Sequence, residues 1–267
     1  MSGGVLALVF GASPGFFGKL PAVGDFVSRR LPRNFLDPWD QWLQAAIASS
    51  REQLGDAWLD NYLTSPIWRF ALAAEVAGPL PCSGIMMPSV DRAGRYFPFM
   101  LASFLPMNSN LFRIAGNSQA WYEAAEAVAL SVLEDEPPDI DSLDSQIDAL
   151  GLLTAADAGD SDGTAAEPGE THLKPWHVPM QSVTGLRDTF PVMLQWLIER
   201  RFGTYSLWWS AGSEQITPAL QVCEGLPPVK GYAAMLGGGW EEYGWDILPE
   251  ATAAAEHDSA AVAGPCP

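Results

Sequence analysis

The first stretch with the residue types for chemistry is Gly11-Ala12-Ser13-Pro14-Gly15, which follows an apolar run and has the G-x-S-x-G spacing of a nucleophile elbow. That elbow takes the backbone N–H of the residue after the serine for its oxyanion hole, and Pro14 has none to give. Gly15, Gly18 and Pro21 also break the helix that should follow. A serine hydrolase joining Ser13 to a distant Asp and His is therefore the alternative reading. Gly18-Lys19 invites a phosphate-binding loop, but G-x-x-x-x-G-K-[ST] requires glycine where Ser13 stands and Ser or Thr where Leu20 stands. His172, His177 and His257 lack metal-ligand spacing, and neither Cys-x-x-Cys nor His-Glu-x-x-His occurs. The sequence gives no motif for a cofactor, a metal or catalysis.

Two other segments concentrate charge inside glycine-marked turns. One runs Lys19-Leu20-Pro21-Ala22-Val23-Gly24-Asp25-Phe26, and the other Pro88-Ser89-Val90-Asp91-Arg92-Ala93-Gly94-Arg95. Both lie beside candidate strands, where a rigid frame can present polar groups. Lys19, Asp25, Ser89, Asp91, Arg92 and Arg95 are the candidate partner-binding residues, on loops expected to meet on one face. Arg92 and Arg95 offer planar donors for a carboxylate or phosphate, with Asp25 and Asp91 placed to orient them from behind. The competing reading is that Asp25 and Asp91 only tie their own loops by hydrogen bonds and ion pairs.

The elements that must hold these loops follow from periodicity. A helix is expected from Asp37 as N-cap, with Pro38 in its first position and Trp39, Trp42, Leu43, Ala46 and Ile47 at i, i+3, i+4, i+7 and i+8. Strands are expected over residues 5–10, 16–20, 67–74, 84–87 and 96–105, the last two joined by the polar turn 88–95. A second helix starts near Asn117 or Ser118 and turns Trp121, Ala125, Val128 and Val132 inward. A third starts near Asp139 or Asp141, with Leu143, Ile147 and Leu150 inward. Further on, Thr189 caps a helix with Pro191 near its first turn and Gly203 past its end, and residues 205–209 form a buried strand. Helices interleaved with strands define an α/β class, a three-layer sandwich with a central mixed sheet flanked by helices. Most of the eleven tryptophans fall on these stripes, so they pack a core instead of stacking on bases or sugars.

Charge narrows the partners. The 267 residues carry 14 Lys plus Arg against 32 Asp plus Glu, a net charge of −18 that opposes nucleic acid and anionic membrane. Residues 1–100 are balanced, whereas residues 134–170 hold twelve acidic groups and no basic one, so the acidity is a local insertion. Within it, residues 154–170 have too little apolar area to offset ordering and read as a flexible loop, as residues 251–267 read as a disordered tail. Cys82, Cys223 and Cys266 show no paired spacing, which fits a reducing cytoplasm. The run 5–10 has no positive charge ahead of it and makes a poor signal peptide, and no run reaches the ~18 apolar residues of a membrane span.

Gly15-Phe16-Phe17-Gly18-Lys19-Leu20-Pro21, Gly24-Asp25-Phe26, Leu31-Pro32, Trp39-Asp40-Gln41-Trp42-Leu43, Pro66-Ile67-Trp68-Arg69-Phe70 and Pro88-Ser89-Val90-Asp91-Arg92-Ala93-Gly94-Arg95-Tyr96-Phe97-Pro98 follow one another in an order that resembles the signature of the TagF (ImpM) family. The resemblance fades after about residue 133 and returns at Ser206-Leu207-Trp208-Trp209. It implies a cytoplasmic α/β protein that represses type VI secretion after translation by binding the forkhead-associated (Fha) scaffold. The kinase and PP2C-type phosphatase of that pathway regulate the same scaffold. A structural subunit of the secretion apparatus is a further alternative and would demand a larger exposed apolar patch. The chain accordingly divides into a TagF-like N-terminal α/β domain over 1–133, an acidic helix and flexible insertion over 134–170, a C-terminal α/β part over 171–250 on the same or an adjoining core, and a tail over 251–267. Replacing residues 154–170 by a short Gly-Ser bridge is expected to leave thermal unfolding nearly unchanged; a melting temperature lowered by many degrees would show that the segment packs.

Overall fold

The computed structural model describes residues 13–134, 137–153 and 186–248. The expected strand over 5–10, Gly11 and Ala12, the loop 154–170, the three histidines, Cys266 and the tail 251–267 lie outside the described residues. In chain order the elements are β1 (Gly15–Lys19), β2 (Phe26–Arg29), α1 (Arg33–Leu54), α2 (Trp58–Thr64), β3 (Trp68–Leu72), β4 (Cys82–Met87) and β5 (Phe99–Phe104). After them come α3 (Leu111–Asn117), α4 (Gln119–Leu130), α5 (Ile140–Ala149), α6 (Leu186–Phe202), β6 (Tyr205–Ser210), β7 (Ala219–Glu224) and α7 (Tyr232–Gly237).

Side chains alternate across a strand, and here both faces of the alternation are apolar. Trp68, Phe70 and Leu72 of β3, Cys82 and Met86 of β4, and Met100, Ala102 and Phe104 of β5 enter one core; Ala71, Ile85, Met87, Phe99 and Leu101 enter the other. Helix α1 covers the first face with Phe35, Trp39, Trp42, Leu43, Ala46 and Ile47, joined by α2 and α7. Helices α3, α4 and α5 cover the second. The result is the expected three-layer α/β sandwich around a seven-stranded sheet of order β2-β1-β5-β4-β3-β6-β7. Every registered pair among the described strands is antiparallel, so the sheet is not mixed.

Several elements differ from the periodic reading: β3 and β5 are shorter than the expected 67–74 and 96–105, and β4 begins two residues before the expected 84. Helix α1 begins a turn earlier, after Pro32, because the added turn seats Phe35 in the core, and Pro38 therefore lies inside the helix. Ala125 in helix α4 and Val132 just past it are buried as expected, but Tyr122 and Ala129 face inward in place of Trp121 and Val128, which are half-buried; the Tyr122 hydroxyl shares a 2.7 Å hydrogen bond with Ser83. Helix α6 contains both Thr189 and Pro191, while Gly203 does follow its end. Helix α5 matches its reading: Asp139 accepts the Ser142 N–H at 2.7 Å, and Leu143 and Ile147 are fully buried, while Leu150 packs at the edge.

The C-terminal strands extend this same sheet, with β6 pairing against β3 from Arg69↔Trp209 to Leu72↔Ser206. Trp208 is thereby inserted among Trp39, Trp42 and Phe70, with ring centroids 5.2–6.0 Å apart. The neighbouring strands β4 and β5 approach closely enough that a side chain on Gly84 would run into the Leu101 carbonyl oxygen. Gly84→Ala is expected to lose about 3 kcal/mol or more of stability, read by chemical denaturation, because the obstacle is backbone and cannot rotate away. An unchanged midpoint would contradict that packing.

Candidate functional site

The order β1-β5-β4 in the sheet sets the β1–β2 turn beside the β4–β5 connection, because Lys19 ends β1, Met87 ends β4 and Phe99 opens β5. The two charged segments therefore meet at one end of the sheet, as their sequence suggested. Their junction is built on Asp91, whose side chain has 0% exposure. Its Oδ2 accepts from Lys19 Nζ at 2.5 Å and from Arg95 Nε at 2.7 Å; its Oδ1 accepts the backbone N–H groups of Ala93 and Arg95, both at 2.9 Å. Backbone bonds complete the seam: Arg92 N–H to Val23 O at 3.0 Å, and Ser89 Oγ to Lys19 O at 2.7 Å. Tyr62 braces Ser89 from α2, donating its hydroxyl to the Ser89 carbonyl at 2.8 Å and accepting the Ser89 N–H at 3.0 Å.

Gly18 belongs to this seam for a reason of packing, not of phosphate binding. Its φ of +140° suits glycine, and a side chain there would strike the Pro98 carbonyl on the way into β5. Next to it the side chains of Phe17, Phe26 and Phe97 form an aromatic triplet, with centroids 4.8–5.8 Å apart, and Lys19 Nζ lies 4.4 Å from the Phe26 ring. Phe26 remains 42% exposed.

The six sequence-selected residues thus separate into two sets. Lys19, Ser89 and Asp91 are buried and build the frame, so they are not a contact surface. Asp25, Arg92 and Arg95 reach solvent. Asp25 turns its Oδ1 to the Phe26 N–H at 2.8 Å and so ties its own turn, and of these two aspartates only Asp91 bonds an arginine. Arg95 extends to donate to the Gly24 carbonyl at 2.5 Å, with its side chain 58% exposed. Among the described residues the Arg92 guanidinium has no hydrogen-bond or ion-pair partner, and it lies beside Gly24.

Sequence reasoning passed over three other polar contacts. Arg69, in the middle of β3, is paired under the sheet by both oxygens of Glu126, at 2.5 and 3.1 Å, and by Gln119 Oε1 at 2.6 Å. A charged residue inside an apolar strand was the available signal, since a buried cation needs a partner. Arg30, at φ +58°, bonds Pro14 O at 2.7 Å and Asp144 at 2.5 Å, and Ser13 donates to Asp148. The serine of the elbow-like motif therefore docks the acidic helix α5, and its neighbour remains a proline. No group of three or more His, Cys, Asp or Glu side chains among the described residues is arranged to hold a metal ion.

A three-layer sandwich with one polar seam at a sheet end is the class of protein these features define. The family model for the TagF N-terminal domain, type VI secretion system-associated, matches residues 15–150, a span containing both loops. The chain belongs to the TagF family and is a type VI secretion-associated protein. It is also similar to the crystal structure of PA0076 from Pseudomonas aeruginosa PAO1, with 34% identity, a TM-score of 0.69, and coverage of 89% of this chain and 98% of that one. No curated protein matches the chain. Among the described residues no helix is long and apolar enough to cross a membrane.

Burial pushes the Asp91 carboxyl up, but the hydrogen bonds from Lys19, from Arg95 and from the Ala93 N–H outweigh it and hold the group well below the ordinary aspartate value of 3.8. Its folded pKa is thus depressed, so its stabilisation is fully present above 3.8 and is lost as pH falls below that value toward the folded pKa. Asp91→Asn is expected to melt lower than the parent at neutral pH, with the gap shrinking as the solution is acidified below about pH 4. Parallel melting curves across that range would show that the carboxylate is not the tie.

Proposed function

We propose that the chain is a negative regulator of type VI secretion that acts after translation, in the cytoplasm, by binding the forkhead-associated scaffold protein of that system and not by catalysis. Its action would fall in the pathway that the kinase and PP2C-type phosphatase also control. The observation that carries this reading is the junction of the two family-signature loops, where a buried carboxylate bonds Arg95 directly and ties together the backbones that carry Phe26 and Arg92. A contact surface that is already ordered loses little entropy on binding, and arginine and aromatic side chains are the residues that most often dominate interfaces. Membership of the TagF family supports the link to the secretion system. A binding role without turnover is supported at the elbow-like motif, where the residue after Ser13 has no N–H and the hydroxyl is engaged by Asp148.

The test is capture of the scaffold by purified protein, paired with a melting curve for each variant. Arg92→Ala is expected to keep the parental melting temperature and Phe26→Ala, which gives up its ring contacts with Phe17 and Phe97, to melt lower while remaining folded; each is expected to weaken capture by about 1–3 kcal/mol where it is a hot spot. Undiminished capture by both folded variants would remove this face from consideration.

A further inference from the structure

The loop junction leaves a charge imbalance. One carboxylate oxygen, Asp91 Oδ2, serves both the buried Lys19 and the exposed Arg95, so the tie has two cations to one anion. The other nearby carboxylate, Asp25, is turned to the Phe26 N–H. Arg92 then adds a third cation on the rim. Its backbone is pinned by the bond from its N–H to Val23 O at 3.0 Å, and its terminal nitrogen lies 3.6 Å from where a side chain on Gly24 would begin. Arg95 reaches the same glycine from the other loop through its 2.5 Å bond to the Gly24 carbonyl. Two guanidinium groups thus close on one residue that has no side chain. Like charges brought to one residue from two tied loops repel, and an oxyanion between them relieves that cost while offering acceptors to both guanidinium groups.

We infer that Arg92 and Arg95 form an oxyanion site over Gly24, built to take a phosphoryl or carboxylate group from an acidic side chain of the bound partner. The inference rests on the proposed binding role of this face and specifies its chemistry. Several features fit this ligand. The exposed donors are arginines and not lysines, which favours flat, two-point recognition of an anion. Lys19 lies below the surface, where it contributes field without competing for the ligand's oxygens. Arg95 is held at its Nε by Asp91 and at Nη2 by the Gly24 carbonyl, which fixes the plane of the guanidinium and leaves Nη1 to meet an anion.

The site is tested on the full chain by calorimetric titration with inorganic phosphate, phosphothreonine and acetate at one fixed ionic strength, which holds screening constant. Saturable binding of phosphate and phosphothreonine, weakened about tenfold in Arg92→Gln and partly restored in Arg92→Lys, is the expected result for a phosphoryl ligand. The same pattern with acetate, and with no advantage for the phosphates, supports the site with a carboxylate as its ligand. Absence of saturable binding by all three probes, or binding that Arg92→Gln leaves unchanged, overturns the inference. Among the described residues the Arg92 guanidinium has no hydrogen-bond or ion-pair partner, so an unchanged melting curve for Arg92→Gln is expected to accompany either result. Scaffold capture is measured separately: loss of anion binding with capture intact sinks this site alone, and intact anion binding without any capture of the scaffold sinks the proposed function alone.

Discussion

Strands β3, β4 and β5 are buried at every residue, and a sheet with two dry faces must be covered twice. That requirement recruits α1, α2 and α7 on one side and α3, α4 and α5 on the other, so segments from both ends of the chain are needed to close the cores. It also decides where polar chemistry can stand. With the middle of the sheet given over to Trp, Phe, Met and Leu, charged side chains are displaced to the turns at the strand ends. Arg69 is the exception, and it is tolerated only because Glu126 and Gln119 meet it under α4.

At the sheet end the same economy of burial is repeated with a carboxylate. Both oxygens of Asp91 are filled by donors from Lys19, Ala93 and Arg95, so the group is satisfied without water. A fully satisfied buried network is rigid, and this one joins a turn at residues 20–25 to a connection some seventy residues later. The two readings weighed for these aspartates are therefore complementary. Asp91 ties the loops, and by tying them it fixes which side chains remain outside.

The layered class, helix α5, strand β6 and the meeting of the two loops were legible because each is written in local pattern: apolar spacing, an N-cap aspartate, glycine-marked turns. What could not be read depended on tertiary context. Tryptophan and tyrosine are adjacent at Trp121 and Tyr122, so periodicity alone does not say which one faces in; the hydroxyl of Ser83 decides. Pro38 resembles a helix start because proline suits a first turn, yet burial of Phe35 outweighs that preference and pulls the start back to Arg33. Of the six candidate binding residues, composition could not separate Lys19 from Arg92. Only the depth of the seam shows that one is frame and the other surface.

The place of β6 beside β3 also bears on how the chain comes off the ribosome. A nascent chain that has emerged as far as residue 150 already contains five strands, but β3 then ends the sheet with an open edge and an apolar face meant for Trp208, some sixty residues away from completion. Such an edge is a template for pairing with another chain. Synthesis at ~5–20 residues per second leaves it uncovered for seconds, so the acidic stretch that lies between the two halves in the sequence separates them in time.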